Sequence, residues 1–254
     1  MRDKLGDDVA DVNDLRVKLF ADGAELEVIR KMAANPLIKG FTTNPTLMRK
    51  AGVIDYSAFA RSVLLAIDDR PISFEVFADD FGAMIAQGRE IASWGKNVNV
   101  KIPVTNTAGN FAGKVIRTLA AEGIVLNITA IMTIEQILAV AEALHPDVPA
   151  IVSVFAGRIA DTGVDPVPHM QRCKEVLAKR PKAELLWASP REVLNVFQAD
   201  EIGCDVITAT NDIIAKLALV GKDLTGYSRE TVQMFYRDAL ASRYTIRTAR
   251  SDAA

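Results

Sequence analysis

The sequence predicts an α/β protein: a single (β/α)8 TIM barrel with an additional C-terminal helix. Three observations carry that expectation. The 254 residues are half hydrophobic, enough for one large core, and barrels of this length commonly form one domain. Eight short apolar runs of strand type alternate with stretches rich in Ala, Leu, Ile and Glu. Within the runs, polar and ionisable residues gather on one face, mostly towards the C-terminal end, where barrel sites are built.

Taken in order, residues 1–15 form a polar, acidic arm. Arg16 to Asp22 is the first strand, stopped by Gly23, and Leu26, Ile29 and Met32 at three-residue steps mark a helix ending at Asn35-Pro36. Leu37 to Phe41 is the second strand and leads into Thr42-Thr43-Asn44-Pro45. The remaining strands are Ile72 to Phe77, Val98 to Ile102, Ile124 to Ile128, Ala150 to Phe155, Glu184 to Ala188 and Asp205 to Thr208. Between them lie helices over Phe81 to Trp94, Ala112 to Glu122, Ile134 to Leu144, Met170 to Lys179 and Glu192 to Ala199. Gly221 to Gly226 reads as a loop, and Ser228 as the cap of a helix over 228–242 with Val232, Phe235, Tyr236 and Ala239 on one side. That face can cover the barrel or pack on a neighbouring subunit. Arg250 to Ala254 reads as a frayed end. A doubly wound open sheet is the runner-up, but it would more often carry a Gly-rich nucleotide loop after its first strand. No repeat, low-complexity tract or linker divides residues 1–254, so one domain is expected.

Composition also removes several function classes. A net charge of −2 gives no reason to expect nucleic-acid binding. The opening Met1 to Asp8 is too acidic and polar for a signal peptide, and no apolar run is long enough to cross a bilayer, so a soluble cytoplasmic protein is expected. Cys173 and Cys204 are isolated, without metal spacing or a disulfide framework. Two histidines, His145 and His169, are too few for a zinc centre of the usual kind, and no GxSxG elbow is present. Neither a metal nor an organic cofactor is expected.

Alternation along the strands sorts the side chains. Phe20 and Asp22 share a face, as do Ser73, Glu75 and Phe77; Asn99 and Lys101; Val125, Asn127 and Thr129; Ile151, Ser153 and Phe155. Lys101 is the only lysine on these faces apart from Lys18 near the entrance of the first strand. A lysine in such a setting is costly unless paired or neutral, and the neutral amine is the form that attacks a ketone. The resulting iminium withdraws electrons and lets an adjacent carbon–carbon bond break. Asp22 and Glu75 are candidates for the proton transfers, and Asn44, Asn127, Thr129 and Ser153 for holding a polyol chain and a water.

Each of these residues also has a plainer role open to it. Lys101 and Glu75 form a buried ion pair on neighbouring strands, Asp22 caps a strand end, and Asn44 before Pro45 makes a turn. Asn127, Thr129 and Ser153 singly are ordinary backbone hydrogen-bond formers. Convergence on one end of one barrel favours chemistry. Arg158, after Phe155-Ala156-Gly157, and Arg191, after Ser189-Pro190 at an expected helix start, add two guanidinium groups where late barrel loops often bind phosphate. With Ser189 they suggest a clamp.

From about Lys18 to Thr208 the chain resembles the transaldolases and their relatives the fructose-6-phosphate aldolases. Its most specific pieces are Gly40-Phe41-Thr42-Thr43-Asn44-Pro45-Thr46, Val100-Lys101-Ile102-Pro103-Val104-Thr105, Leu126-Asn127-Ile128-Thr129 and Ser153-Val154-Phe155-Ala156-Gly157-Arg158-Ile159. The resemblance implies that Lys101 is a Schiff-base lysine holding a dihydroxyacetone unit, that Asp22 removes the hydroxyl proton during cleavage, and that Glu75 with Thr129 positions a proton-shuttling water. It further implies that Asn44, Asn127 and Ser153 bind the dihydroxyacetone portion, and that Arg158, Ser189 and Arg191 bind phosphate. Fructose 6-phosphate or sedoheptulose 7-phosphate would be the donor and an aldose phosphate the acceptor. Homo-oligomers are usual among small members.

Glu75 and Phe155 resemble the transaldolase branch, where the aldolases tend to carry glutamine and tyrosine. A missing hydroxyl at Phe155 favours transfer over release of free dihydroxyacetone. Val154, Trp187 and Pro190 depart from the family pattern, and they lie near the expected phosphate pocket. The alternatives are an aldolase, which gives product without an acceptor, and a non-catalytic sugar-phosphate-binding barrel, in which ligand stabilises the fold without a covalent adduct.

Overall fold

The computed structural model describes residues 11–246. The expectations for the first ten residues of the arm and for Arg250 to Ala254 lie outside them. Eight parallel strands close in sequence order: β1 (Lys18–Asp22), β2 (Ile38–Thr42), β3 (Ile72–Glu75), β4 (Val98–Pro103), β5 (Leu126–Ile131), β6 (Ala150–Val154), β7 (Ala183–Trp187) and β8 (Val206–Thr210). Pairing of Lys18 with Val206 through Asp22 with Thr210 completes the barrel. Helices α1 (Leu26–Ala33), α2 (Pro45–Lys50), α3 (Tyr56–Ala66), α4 (Phe81–Ala92), α5 (Gly113–Ala121), α6 (Ile134–Ala143), α7 (Ala156–Asp161), α8 (Pro166–Leu177), α9 (Leu194–Glu201) and α10 (Asn211–Lys216) lie between and after the strands. The chain falls into two compact units, the barrel over Val12–Leu217 and a second that includes α11 (Leu224–Ser242).

The period-two pattern does what the sequence implies. Leu19, Phe74, Val100, Ile128, Val152, Leu185 and Ile207 are buried on one strand face. On the other, Phe20, Ile151, Leu186 and Val206 form a cluster, with Phe155 packed against it. Gly40 belongs to this layer, and a Cβ built on it would lie 2.5 Å from the Phe20 ring. Gly40→Ala is therefore expected to cost about 1–3 kcal/mol by overpacking, read as a lower midpoint in urea.

Side-chain caps set several helix starts: Asn44, Asp55, Asp80, Thr133 and Asp165 each accept a backbone N–H of the first turn. The same device corrects the expected loop at Gly221 to Gly226. Asp223 accepts the Gly226 N–H, so α11 begins at Leu224 and Ser228 lies inside it rather than capping it. Val232, Phe235 and Tyr236 on that helix are exposed. The eighth helix also starts earlier than Met170, at Pro166, whose missing N–H is harmless in a first turn. Cys173 and Cys204 are free, buried thiols, pushed up to about 12 by burial. Among the described residues, no helix is long and apolar enough to cross a membrane.

Candidate active site

At the C-terminal end of the barrel, strand alternation brings the interior polar side chains into one cavity of about 400 Å³. Lys101 reaches it from β4 with its side chain 8% exposed. Its Nζ donates to the Thr43 carbonyl at 2.8 Å and lies 3.2 Å from Glu75 Oε2. Glu75 is the direct register partner of Lys101, so the ion pair follows from β3–β4 pairing. Among the described residues, Lys101 is the one lysine lining this cavity.

Asp22, the last residue of β1, faces the same space. Its carboxylate accepts from Thr42 Oγ1 at 2.8 Å and from Asn44 Nδ2 at 3.2 Å, and Thr42 shares a 2.6 Å bond with the Thr208 hydroxyl. Burial pushes the Asp22 carboxyl above the usual carboxylate range, against the Lys101 charge and these hydrogen bonds, which pull it down. A carboxyl so placed is, once ionised, a stronger proton acceptor than an exposed one. Asn44 serves twice: its Oδ1 caps α2 through the Leu47 N–H, and its Nδ2 is thereby aimed at Asp22.

Across the cavity, Ser153 Oγ donates to Asn127 Oδ1 at 2.6 Å and Asn127 Nδ2 donates to Ser73 Oγ at 3.0 Å. This chain fixes the Asn127 amide between β6 and β3. Thr129 is buried on β5, just before Ala130 at φ 63°, where the β5–β6 register shifts. Phe155 ends the run beyond β6 and immediately precedes α7, and the Arg158 guanidinium lies 5.2 Å over its ring. Ser189, at φ 58°, brings its carbonyl so close to Gly157 that a Cβ there would sit 1.5 Å from the oxygen. Glycine at 157 is what allows α7 and the β7 loop to meet beside Arg158 and Ser189.

Asp22, Asn44, Glu75, Lys101, Asn127, Thr129, Ser153, Phe155, Arg158 and Ser189 thus line one cavity. Arg191 is not brought to it. Its guanidinium makes a two-pronged ion pair with Asp161, with Nε 3.0 Å from Oδ1, and it precedes α9 by a turn instead of starting it. Phe77 also departs from expectation: β3 stops at Glu75, and Phe77 is 51% exposed with its ring 4.6 Å from Tyr56. Thr42 and Thr208 join the site without having been singled out, although alternation along β2 and β8 puts them on its face. The Thr43 carbonyl has no signature in a sequence.

A family model described as transaldolase/fructose-6-phosphate aldolase matches residues 19–249. A protein of Nitrosopumilus maritimus named "Probable transaldolase" is 34% identical over 203 residues, 79% of this chain and 87% of its own length. Another from Listeria monocytogenes, "Probable transaldolase 2", is 33% identical over 220 residues, 84% and 95% of the two lengths. Among solved structures, 3-keto-L-gulonate-6-phosphate decarboxylase from Vibrio cholerae superposes with a TM-score of 0.54 at 12% identity, covering 82% of this chain and 90% of its own, a likeness of fold alone. With the family model spanning nearly all of the barrel, the chain belongs to the transaldolase/fructose-6-phosphate aldolase family.

Proposed function

We propose that the protein is a Schiff-base transaldolase, moving a dihydroxyacetone unit from fructose 6-phosphate or sedoheptulose 7-phosphate to an aldose phosphate such as glyceraldehyde 3-phosphate or erythrose 4-phosphate. The observation that carries this reading is the buried Lys101 amine, 3.2 Å from a carboxylate, in a cavity it shares with Asp22. Glu75 takes a proton from Nζ, and the neutral amine adds to the donor's C2 carbonyl and loses water to form an iminium. Asp22 then takes the C4 hydroxyl proton. The C3–C4 electron pair flows into the iminium, an aldose leaves, and the enamine left on Lys101 attacks the aldehyde of the acceptor. Asn44, Asn127 and Ser153 hold the three-carbon unit, and Glu75 with Thr129 holds the water that relays protons. Arg158 and Ser189 take the terminal anion, while Arg191 joins them by exchanging Asp161 for it.

Transfer rather than release is supported by Phe155, which offers no hydroxyl to a protonating water. Fructose 6-phosphate alone should give little free dihydroxyacetone, and adding erythrose 4-phosphate should start turnover, both followed by coupled assay. Phe155→Tyr is expected to raise acceptor-independent release by about tenfold while transfer falls. Equal release with and without acceptor in the parent protein would identify an aldolase instead.

A further inference from the structure

Tyr56, the first residue of α3, places its hydroxyl against the peptide of Glu75 on both sides. It accepts from the Glu75 N–H at 2.8 Å and donates to the Glu75 carbonyl at 3.1 Å. The sheet explains why those two groups need a partner. Successive residues of a parallel strand turn their N–H and C=O to alternate neighbours. Ile72 and Val76 donate towards β4, to Asn97 and Lys101, whereas the Ser73 carbonyl takes the Thr43 N–H from the β2 side. Glu75 faces that side too. Yet β2 pairs with β3 only at Phe41 with Ile72 and Thr42 with Ser73, and the chain then turns at Asn44 into α2. The Glu75 N–H and C=O would be orphaned, and a phenol, both donor and acceptor, stands in for the absent strand.

The ring that delivers this hydroxyl is itself fixed. Its centroid lies 4.6 Å from that of Phe77, and edge-on 5.4 Å from Trp94 and 6.1 Å from Phe74. Burial pushes the hydroxyl far above the usual tyrosine range, so it remains a protonated donor. Tyr56 does not line the cavity.

We propose that Tyr56 is a positioning residue for the reaction: by holding the N–H and the C=O of Glu75 where β2 has left the sheet, it sets the Glu75 carboxylate against Lys101 Nζ. The proposal rests on the Schiff-base reading of Lys101 and Glu75. Without the hydroxyl, the Glu75 backbone takes a new position at the strand end, and the carboxylate moves with it.

Tyr56→Phe keeps the ring and removes only the hydroxyl. The expected result is a fall in kcat of about tenfold to a hundredfold with KM unchanged within about twofold. The rate of borohydride-trappable adduct formation on Lys101 should fall in step, while its end-point yield stays. Trp94→Phe thins the aromatic packing but leaves the hydroxyl in place, so it should lower Tm while keeping kcat within about twofold. A parent-like kcat in Tyr56→Phe, or kcat losses in both variants that simply track their Tm losses, overturns the positioning role and leaves the Schiff-base reading standing. Absence of any adduct in the parent protein removes both.

Discussion

Lys101→Met is expected to abolish turnover, a loss of at least about 10⁴-fold in kcat, because the covalent route disappears with the amine. Among the described residues, no other lysine lines the cavity to replace it. Methionine keeps much of the volume, so the loss is chemical rather than a consequence of collapse. The substitution also leaves the Glu75 carboxylate without its cation 3.2 Å away, and breaking a fully buried pair from one side costs about 3–5 kcal/mol, an upper bound for the partly exposed Glu75. Adding Glu75→Gln removes that unpaired charge. The double variant should therefore recover much of the stability in urea and none of the activity. If stability and activity return together, the pair is structural and the amine has no covalent role.

Asp22→Asn is expected to separate activity from stability in the opposite sense. Losing the proton acceptor for cleavage should lower kcat by about 10²–10⁴-fold. The stability effect follows from the raised carboxyl. Burial makes the folded protein hold the Asp22 proton more tightly than the unfolded chain, whose value is near 3.8. The contribution of this group is thus fully present below that value and is lost as pH rises through the higher folded one. Asparagine cannot ionise and escapes that loss, and its Oδ1 can still accept from Thr42. Its amide nitrogen forfeits the bond from Asn44, a constant offset at every pH. The difference in Tm between Asp22→Asn and the parent should consequently move in favour of the variant as pH rises above about 4. A difference that stays flat would mean that the carboxyl is not raised.

Period-two alternation is a local rule, and everything it governs was legible in the sequence. It places Asp22, Glu75, Lys101, Asn127, Thr129 and Ser153 on the inner face of their strands, and eight such runs with intervening helices imply the closed barrel that is observed. What was not legible depends on where strands stop. The exit of β2 after Thr42 exposes the Glu75 peptide to Tyr56, and the end of β3 at Glu75 sends Phe77 out to the Tyr56 ring. Neither event has a compositional mark beyond Asn44-Pro45. The short α7 after Phe155 is too brief for a periodic signal, and Arg191 finds Asp161 across 30 residues through contacts that no spacing announces. At α11 two cap residues compete: Asp223 and Ser228 are both good caps, and Asp223, which comes first, sets the start.

Borohydride reduction in the presence of fructose 6-phosphate, followed by intact and peptide mass spectrometry, tests the covalent role of Lys101 most directly. The Schiff-base mechanism predicts a reduced dihydroxyacetone adduct on the Lys101 peptide of the parent protein and none in Lys101→Met. An unmodified Lys101 peptide with fructose 6-phosphate, sedoheptulose 7-phosphate and a panel of ketoses bearing other anions, while the same sugars still raise Tm, would contradict it and leave a barrel that binds sugar phosphates without reacting with them.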